Sequence, residues 1–388
     1  MKILTITTVF PNKTEPQLGI FVKQRMFTVA KMCELKIVAP IPWYKFLTSK
    51  IPYKEIQEGV EVYHPCFFYI PRFFKFLDGF FFFLSVLGCV QKVKKDFKFD
   101  LIDAHFAYPD GFGAVLLAKL LKKPIVITLR GTIERLRYHL IIRKQIKWAL
   151  KNTTKIIAVS DSLKKRAIEL GISGDKITVI RNGIDAKKFY PINKLEARKK
   201  LGLPIDKKIL LSVGGLVERK GVHHVIDILP DIIKKIPNLC YIIVGGKTVE
   251  GDISDLLRKK IKELKLEPYV VLAGPKSHNE LIYWYNAADV FCLYSSKEGC
   301  PNVILEALAC GTPVVASKAG GSPEIIVNEN FGFLVDNKEQ LKQALIKAFY
   351  KNWDAKKIAL YGCQNTWDEV AKKVIKVFEE TKRQEFGK

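Results

Sequence analysis

Short apolar runs alternate with stretches of helical periodicity along nearly the whole chain, which predicts parallel sheets built from strand–helix–strand units. In the first half the predicted strands are 3–8, 35–39, 60–63, 101–104, 125–129, 156–159 and 177–180. In the second half they are 208–213, 240–244, 270–273, 290–294, 313–316 and 333–334, with helices such as 161–170 and 256–264 in the intervals. Two doubly wound sheets are expected. The segment Arg181-Asn182-Gly183-Ile184-Asp185 and the polar stretch to Pro191 break the pattern, and an Asn-Gly turn followed by charges marks a crossing. The boundary is placed at Asp185, with one domain over 1–185 and another over 186–365. From Thr366 the chain is helical again, with Trp367, Val370, Val374 and Phe378 on one face, so this helix needs a surface to cover.

Composition narrows the picture. A chain of 388 residues suits two domains better than one core, and 48% apolar with 27% charged residues excludes a disordered chain. Lys and Arg number 64 against 39 Asp and Glu, a net +25, and the excess is uneven. Residues 1–190 hold 33 basic and 15 acidic side chains (+18), the remainder 31 and 24 (+7). The basic first half should meet something acidic. The eight cysteines show no CxxC pair and no Cys/His metal spacing, so they read as small buried hydrophobes of a reducing compartment. Met1 leads directly into a strand-like run, so no secretory leader is expected. The most apolar stretch, Phe80 to Val90, falls short of the ~20 residues a spanning helix needs, and no transmembrane segment is predicted.

The stretch richest in chemistry runs from Ser295 to Pro313. A buried strand ends in the loop Glu298-Gly299-Cys300, and Pro301 suits the first position of a helix. Helix N-termini at the carboxyl edge of open α/β sheets are where anions bind. At a rise of ~1.5 Å per residue, Glu306 lies ~6 Å along the axis from Asn302, so Glu298 and Glu306 can border one ligand. Glu306 stands in an apolar helix and needs a partner there. Three further stretches pair a strand end with glycines: Gly214-Gly215 leading to Arg219-Lys220-Gly221, then Gly245-Gly246-Lys247, then Gly320-Gly321-Ser322-Pro323-Glu324. Glycines there let backbone approach a ligand closely, and Lys220 can neutralise phosphate.

Taken together in this order, the E-x7-E element from Glu298 to Glu306, the following Gly311-Thr312-Pro313, the Gly-Gly-x-Pro-Glu from Gly320 and the Lys-Gly at Lys220 resemble the retaining GT-B glycosyltransferases of family 4. Ala158-Val159-Ser160 and Arg181-Asn182-Gly183 resemble segments that end the family's first domain. The stretches His105-Phe106-Ala107-Tyr108-Pro109-Asp110-Gly111 and Thr128-Leu129-Arg130-Gly131-Thr132 are similar to its cell-surface polysaccharide subset. The resemblance implies an α/β GT-B fold of two Rossmann-like domains facing a cleft, with the helix 366–388 returning to the first domain. It implies transfer of a hexose from a nucleotide-diphosphate sugar, UDP favoured over GDP, to a glycan or lipid-linked acceptor. Glu306 would accept hydrogen bonds from the ribose, and Glu298 would contact sugar hydroxyls. Backbone at Gly215, Gly246, Gly299 and Cys300, with the amides of Asn302 and Val303, would border sugar and diphosphate. Lys220 would neutralise the diphosphate, and Gly19 would let the first domain close over it.

Two residues depart from the family pattern. Gly215 stands where arginine is usual, which leaves the diphosphate to Lys220 with Arg219 as substitute. Arg130 stands where an acceptor-side histidine is frequent, and arginine does not give up its proton. Arg130 could hold a phosphate, and His105 is then the titratable candidate on that side. The chain has no Asp-x-Asp pair, and metal-independent transfer without a cofactor is expected. The alternatives are a sugar-nucleotide epimerase on the same fold and, far behind it, a basic nucleic-acid binder, for which no recognition motif accompanies the charge. The expected location is the cytoplasm. The run from Tyr69 to Leu84, with Arg72 and Lys75 among aromatics, suits either a core helix or an interfacial segment on an anionic membrane.

Overall fold

The computed structural model describes residues 1–71, 73–133, 139–248 and 250–386, with residues 385 and 386 as backbone only. The chain forms two compact units, Met1–Asn182 with Trp367–Lys388, and Gly183–Thr366. The division falls inside the Asn-Gly turn rather than at Asp185.

The first unit holds β1 (Lys2–Ile6), β2 (Glu34–Val38), β3 (Ile41–Pro42), β4 (Lys54–Gln57), β5 (Val60–Tyr63), β6 (Cys66–Phe67), β7 (Leu101–His105), β8 (Ile125–Leu129), β9 (Lys155–Ala158) and β10 (Ile177–Val179). Eight of them form one sheet in the order β10-β9-β8-β7-β1-β2-β5-β4, while β3 and β6 pair separately. β7 and β8 are buried at every position, as strands of a parallel sheet covered on both faces are, Asp103 and His105 of β7 included. β4 is the antiparallel edge, and its sequence Lys-Glu-Ile-Gln hides it from a search for apolar runs. Charged residues there also protect the edge from pairing with another chain.

The final helix, Trp367–Phe386, buries Trp367, Val370, Ala371, Val374, Val377 and Phe378. They join Val22, Met26 and Val29 of the helix Ile20–Ala30 and the strand residues Ile3 and Ile37 in one core cluster. The face that demanded a surface in the sequence thus completes the first unit. Helix Asp78–Asp96 resolves the aromatic run: Phe82, Val86, Cys89, Val90 and Val93 are buried, whereas Phe80 and Leu84 are exposed. By length and apolar content alone the stretch Lys75–Asp96 could cross a bilayer, contrary to the reading that stopped the run at Val90. Its inward face packs against the helix Phe112–Leu121. Arg72 lies outside the described residues.

The second unit holds β11 (Lys208–Val213), β12 (Leu239–Val244), β13 (Val270–Gly274), β14 (Val290–Leu293), β15 (Val314–Ser317) and β16 (Gly332–Val335). They form a wholly parallel sheet in the order β13-β12-β11-β14-β15-β16. Strand periodicity of two divides each run between the layers: Ile209, Leu211 and Val213 face one cluster, and Leu210 faces the other. The helices Leu281–Ala287 and Asn302–Ala309 cover the first face, and Val222–Ile233 and Lys338–Tyr350 the second. The chain leaving β11 therefore turns to one side and the chain leaving β14 to the other. Such a switch point opens a crevice beyond the carboxyl ends of the strands, where ligands bind in open α/β sheets.

Candidate active site

Three of the glycine stretches meet at this crevice, and close backbone contact explains their composition. Gly245 has φ +152, and a Cβ there would lie 1.8 Å from the Gly214 carbonyl oxygen. At Gly320, φ +55, a Cβ would lie 2.0 Å from the Glu298 carbonyl oxygen. The Gly321 amide donates to the Gly299 carbonyl (2.9 Å), so the Gly-Gly-x-Pro-Glu turn braces the loop that carries Glu298. At Gly215 a Cβ would meet Thr248 Cγ2 at 2.4 Å, so the methyl of Thr248 occupies the space that an arginine stem would need. Gly246 is under no such constraint, its nearest contact being Pro275 at 3.4 Å.

Lys220 closes the short turn Glu218–Lys220 after β11, and its Nζ lies 2.6 Å from Glu298 Oε1. Arg219 Nη1 stands 3.7 Å from the same oxygen, and Arg219 Nε also donates to Glu250 Oε2 (2.6 Å). Burial alone would push the Glu298 carboxyl up, but the ammonium of Lys220 outweighs it and holds the group below the usual carboxylate range. The helix expected to begin at Pro301 begins at Asn302, with Pro301 in the capping position and no side-chain cap from it. Cys300, Asn302 and Val303 are half-buried at this end.

Glu306 is buried one helical turn further on, and its partners are side chains the sequence did not single out. Tyr285 Oη donates to Oε2 (2.7 Å), and His278 Nε2 lies 3.2 Å from Oε1. Lys188 Nζ approaches His278 Nδ1 at 2.5 Å. An ammonium only donates, so Nδ1 accepts and the ring proton sits on Nε2, aimed at Glu306. Burial and then the Glu306 charge push the Tyr285 phenol far up, which keeps its O–H a donor. Burial in turn lowers the Lys188 ammonium. Each carboxylate oxygen of Glu306 is thus pinned by one protein donor and retains acceptor capacity. A lone histidine, a tyrosine in an apolar helix and a linker lysine carry no motif, which is why only the need for a partner was visible.

A cavity of about 630 Å³ opens beside the carboxyl ends of β14, β15 and β16, lined by Arg219, His224, Tyr294, Ser296, Lys318 and Asp336 among others. Of the residues expected from the sequence it includes Arg219. Among the described residues no group of three or more His, Cys, Asp or Glu could hold a metal ion.

His105, Arg130 and Gly19 belong to the first unit. Gly19 has φ +66 and a Cβ there would lie 2.2 Å from the Val9 carbonyl oxygen, so it is the turn that starts the helix Ile20–Ala30. Arg130 follows β8, donates through Nε to His105 Nδ1 (3.3 Å) and through Nη1 to Asn182 Oδ1 (3.3 Å), and lies over the Phe21 ring at 4.6 Å. His105 Nε2 points to Asp103 Oδ2 (3.0 Å), which also accepts from Thr5 Oγ1 (3.1 Å). His105 is fully buried, and burial ahead of its charged neighbours depresses its pKa to about 4. With both ring nitrogens engaged inside the protein, it holds Arg130 rather than standing open as a proton acceptor.

Comparison with known proteins agrees with this architecture. Residues 193–364 match the family "Glycosyl transferases group 1" and residues 47–188 match "Glycosyltransferase Family 4". The chain is similar to TuaC of Bacillus subtilis (strain 168), a glycosyltransferase assigned to teichuronic acid biosynthesis, with 29% identity over 83% of this chain and 82% of that protein. It is 32% identical to the glycosyltransferase MJ1607 of Methanocaldococcus jannaschii over 58% of this chain and 59% of that one. Among solved structures, sucrose-phosphate synthase from Thermosynechococcus elongatus superposes with a TM-score of 0.81 at 20% identity, over 98% of this chain and 99% of that one. HepE of Anabaena, solved with UDP and glucose, superposes with a TM-score of 0.74 at 21% identity, again over 98% and 99%. Two parallel-sheet units, the E-x7-E loop and helix at the switch point of the second unit, and these likenesses lead to one conclusion: the chain is a glycosyltransferase of family 4 with the GT-B fold.

Proposed function

We propose that the protein moves a hexosyl group from a nucleotide-diphosphate sugar, a UDP-sugar in preference to a GDP-sugar, onto a glycan or lipid-linked acceptor of cell-surface polysaccharide synthesis, with retention at the anomeric carbon. The observation that carries this reading is the paired arrangement of Glu306, held by Tyr285 and His278, and Glu298, held by Lys220, at the two ends of one loop-helix element. The remaining acceptor sites of Glu306 suit two ribose hydroxyls, and Glu298 suits hydroxyls of the sugar. The bond from C1 to the diphosphate oxygen breaks with its electron pair leaving on the diphosphate. The acceptor oxygen bonds C1 on the same face, and its proton passes to the departing phosphate oxygen. The protein contributes position and charge. Lys220, Arg219 and the amides at the start of Asn302–Ala309 face that charge, so transfer is proposed to need no metal. Arg130, held by His105 and Asn182, would bind a phosphate of acceptor or donor. The acceptor class is supported by the likeness to the teichuronic acid relative and by a 28% identical D-inositol 3-phosphate glycosyltransferase of Corynebacterium urealyticum.

A thermal-shift screen across nucleotide sugars tests the reading, because a ligand at 100 times its Kd adds ~2.7 kcal/mol of stability. Product analysis by proton NMR should then give the donor's anomeric configuration, in EDTA as in buffer. No shift with any nucleotide sugar would refute the donor assignment; an inverted product would refute retention, and loss in EDTA restored by Mg²⁺ would refute metal independence. An epimerised nucleotide sugar would instead favour the epimerase.

Glu306→Ala should raise the donor Kd by a factor reflecting ~1.5–3 kcal/mol, the worth of hydrogen bonds to a charged group. Lys188→Met acts one step removed, through His278, and should cost only ~0.5–1.5 kcal/mol. Calorimetry measures both, and nitrogen NMR should find the His278 ring proton on Nε2 in the wild type and redistributed in Lys188→Met. Equal donor affinity in all three proteins would remove Glu306 from the site.

A further inference from the structure

The helix Asp78–Asp96 has two apolar faces, and only one is used by the fold. Phe82, Val86 and Val90 point into the core, while Phe80, whose ring meets Phe112 edge-on at 5.0 Å, remains 44% exposed, and Leu84, one turn on, points outward at 63% exposure. Its neighbours continue the outward face. The half-exposed Phe68 packs edge-on against Phe81 with ring centroids 5.4 Å apart and lies 6.4 Å from Trp43, which opens the helix Trp43–Thr48. That helix presents Leu47 at 75% exposure. Before the helix, Phe73 and Phe74 are 66% and 57% exposed, and Phe74 holds the left-handed conformation (φ +51), unusual for an aromatic residue. On the far side Gln145 Nε2 donates to the Phe76 carbonyl (2.8 Å), which docks the helix Leu140–Asn152 with Leu140 and Ile141 exposed at its start.

Eight large apolar side chains turned to solvent around one helix exceed what a surface carries by chance scatter. Exposed Arg143, Lys144 and Lys147 lie on the helix Leu140–Asn152, and exposed Lys50 follows the helix Trp43–Thr48. Residues 1–190 hold 33 basic against 15 acidic side chains, so the surroundings are basic as well. That charge selects among occupants. A second copy seated on the same face would bring two basic rims together, whereas an anionic bilayer meets the rim with opposite charge and offers the aromatics an interfacial layer.

We propose that this face, formed by Trp43–Thr48, Phe68, Phe73 and Phe74, the outer side of Asp78–Asp96 and the start of Leu140–Asn152, docks the enzyme peripherally on an anionic lipid bilayer. Leu47, Phe73, Phe74 and Leu84 enter the interfacial region, and Arg143 and Lys144 pair with lipid phosphates. The helix lies along the surface, since its other face is committed to the core. The proposal does not depend on which sugar is transferred.

Co-sedimentation of the full chain with vesicles tests it, using phosphatidylcholine alone and an equimolar mixture with phosphatidylglycerol. The wild type should bind the anionic vesicles about tenfold or more tightly than the neutral ones, and added salt should weaken that binding. Phe74→Asp with Leu84→Asp should abolish binding to both, and Arg143→Glu with Lys144→Glu should remove the anionic preference. Asp tolerates the left-handed conformation of position 74, and all four positions are exposed, so the variants should fold and keep the wild-type thermal shift with nucleotide sugars. No binding to either vesicle, or equal binding to both, would overturn the proposal. So would a concentration-dependent dimer in sedimentation velocity that Leu84→Asp dissociates, which would make the face a contact between copies.

Discussion

Lys220→Ala is expected to lower kcat by roughly 10²–10³, with little change in donor KM, as loss of one preorganised charge at the site of developing negative charge does. Lys220 Nζ is 2.6 Å from Glu298 Oε1, and the next cation, Arg219, stands at 3.7 Å and is shared with Glu250. Removing Lys220 therefore has a second consequence. It leaves the Glu298 carboxylate buried without its closest counter-charge, an arrangement that typically costs ~3–5 kcal/mol, and the fold of the second unit should weaken too. The double variant Lys220→Ala with Glu298→Gln separates the two effects. It should recover stability in urea unfolding, because no orphan charge remains, and should stay slow. Recovery of kcat in the double variant would mean that Lys220 serves only to neutralise Glu298, and an effect confined to KM would mean that it only binds donor.

A second large effect concerns stability against pH in the first unit. Asp110 accepts from the Thr8 amide (2.7 Å) and the Thr8 hydroxyl (3.0 Å), yet complete burial prevails over these bonds and pushes its carboxyl up to about 7. Between ~4, where the unfolded group titrates, and about 7, the folded chain keeps a proton that the unfolded chain has released. Asp110 therefore contributes stability at low pH that is lost as pH rises through that window. His105 does the reverse. Its pKa of about 4 lies below the unfolded value of ~6.5, so its contribution is present above ~6.5 and is lost as pH falls toward 4. From pH ~4 to ~6.5 the two slopes, each ~1.4 kcal/mol per pH unit, oppose each other and nearly cancel. Asp110→Asn should uncover the His105 slope, with stability rising by roughly 3 kcal/mol across the window. His105→Gln should uncover the Asp110 slope, with stability falling by a similar amount. Urea unfolding at several pH values reads both, and two flat profiles would show that neither group is shifted.

The residues that made the fold legible are those whose environment is dictated by local pattern. Runs such as Ile125–Leu129 and Lys208–Val213 admit few other structures, because a continuous apolar segment of strand length bounded by turn residues must be covered on both faces. The tail helix was legible for the same reason: the spacing of Trp367, Val370, Val374 and Phe378 forms a stripe that cannot be left in water. In the site, Glu298, Glu306, Lys220 and the paired glycines could be named from sequence because they lie within one loop and one helix, or at successive strand ends. What tertiary structure alone decided involves groups far apart in the chain. Lys188 meets His278 across 90 positions, Asp110 meets Thr8 across 102, and Arg130 meets Asn182 across 52. Polar side chains carry no periodicity that announces such partners; sheet order and helix packing bring them together, and burial then compels each to find a donor or acceptor. The edge strand Lys54–Gln57 and the outward face around Leu84 belong to the same class, since a half-exposed segment is not constrained by the core, and only the arrangement of its neighbours determines whether it is covered.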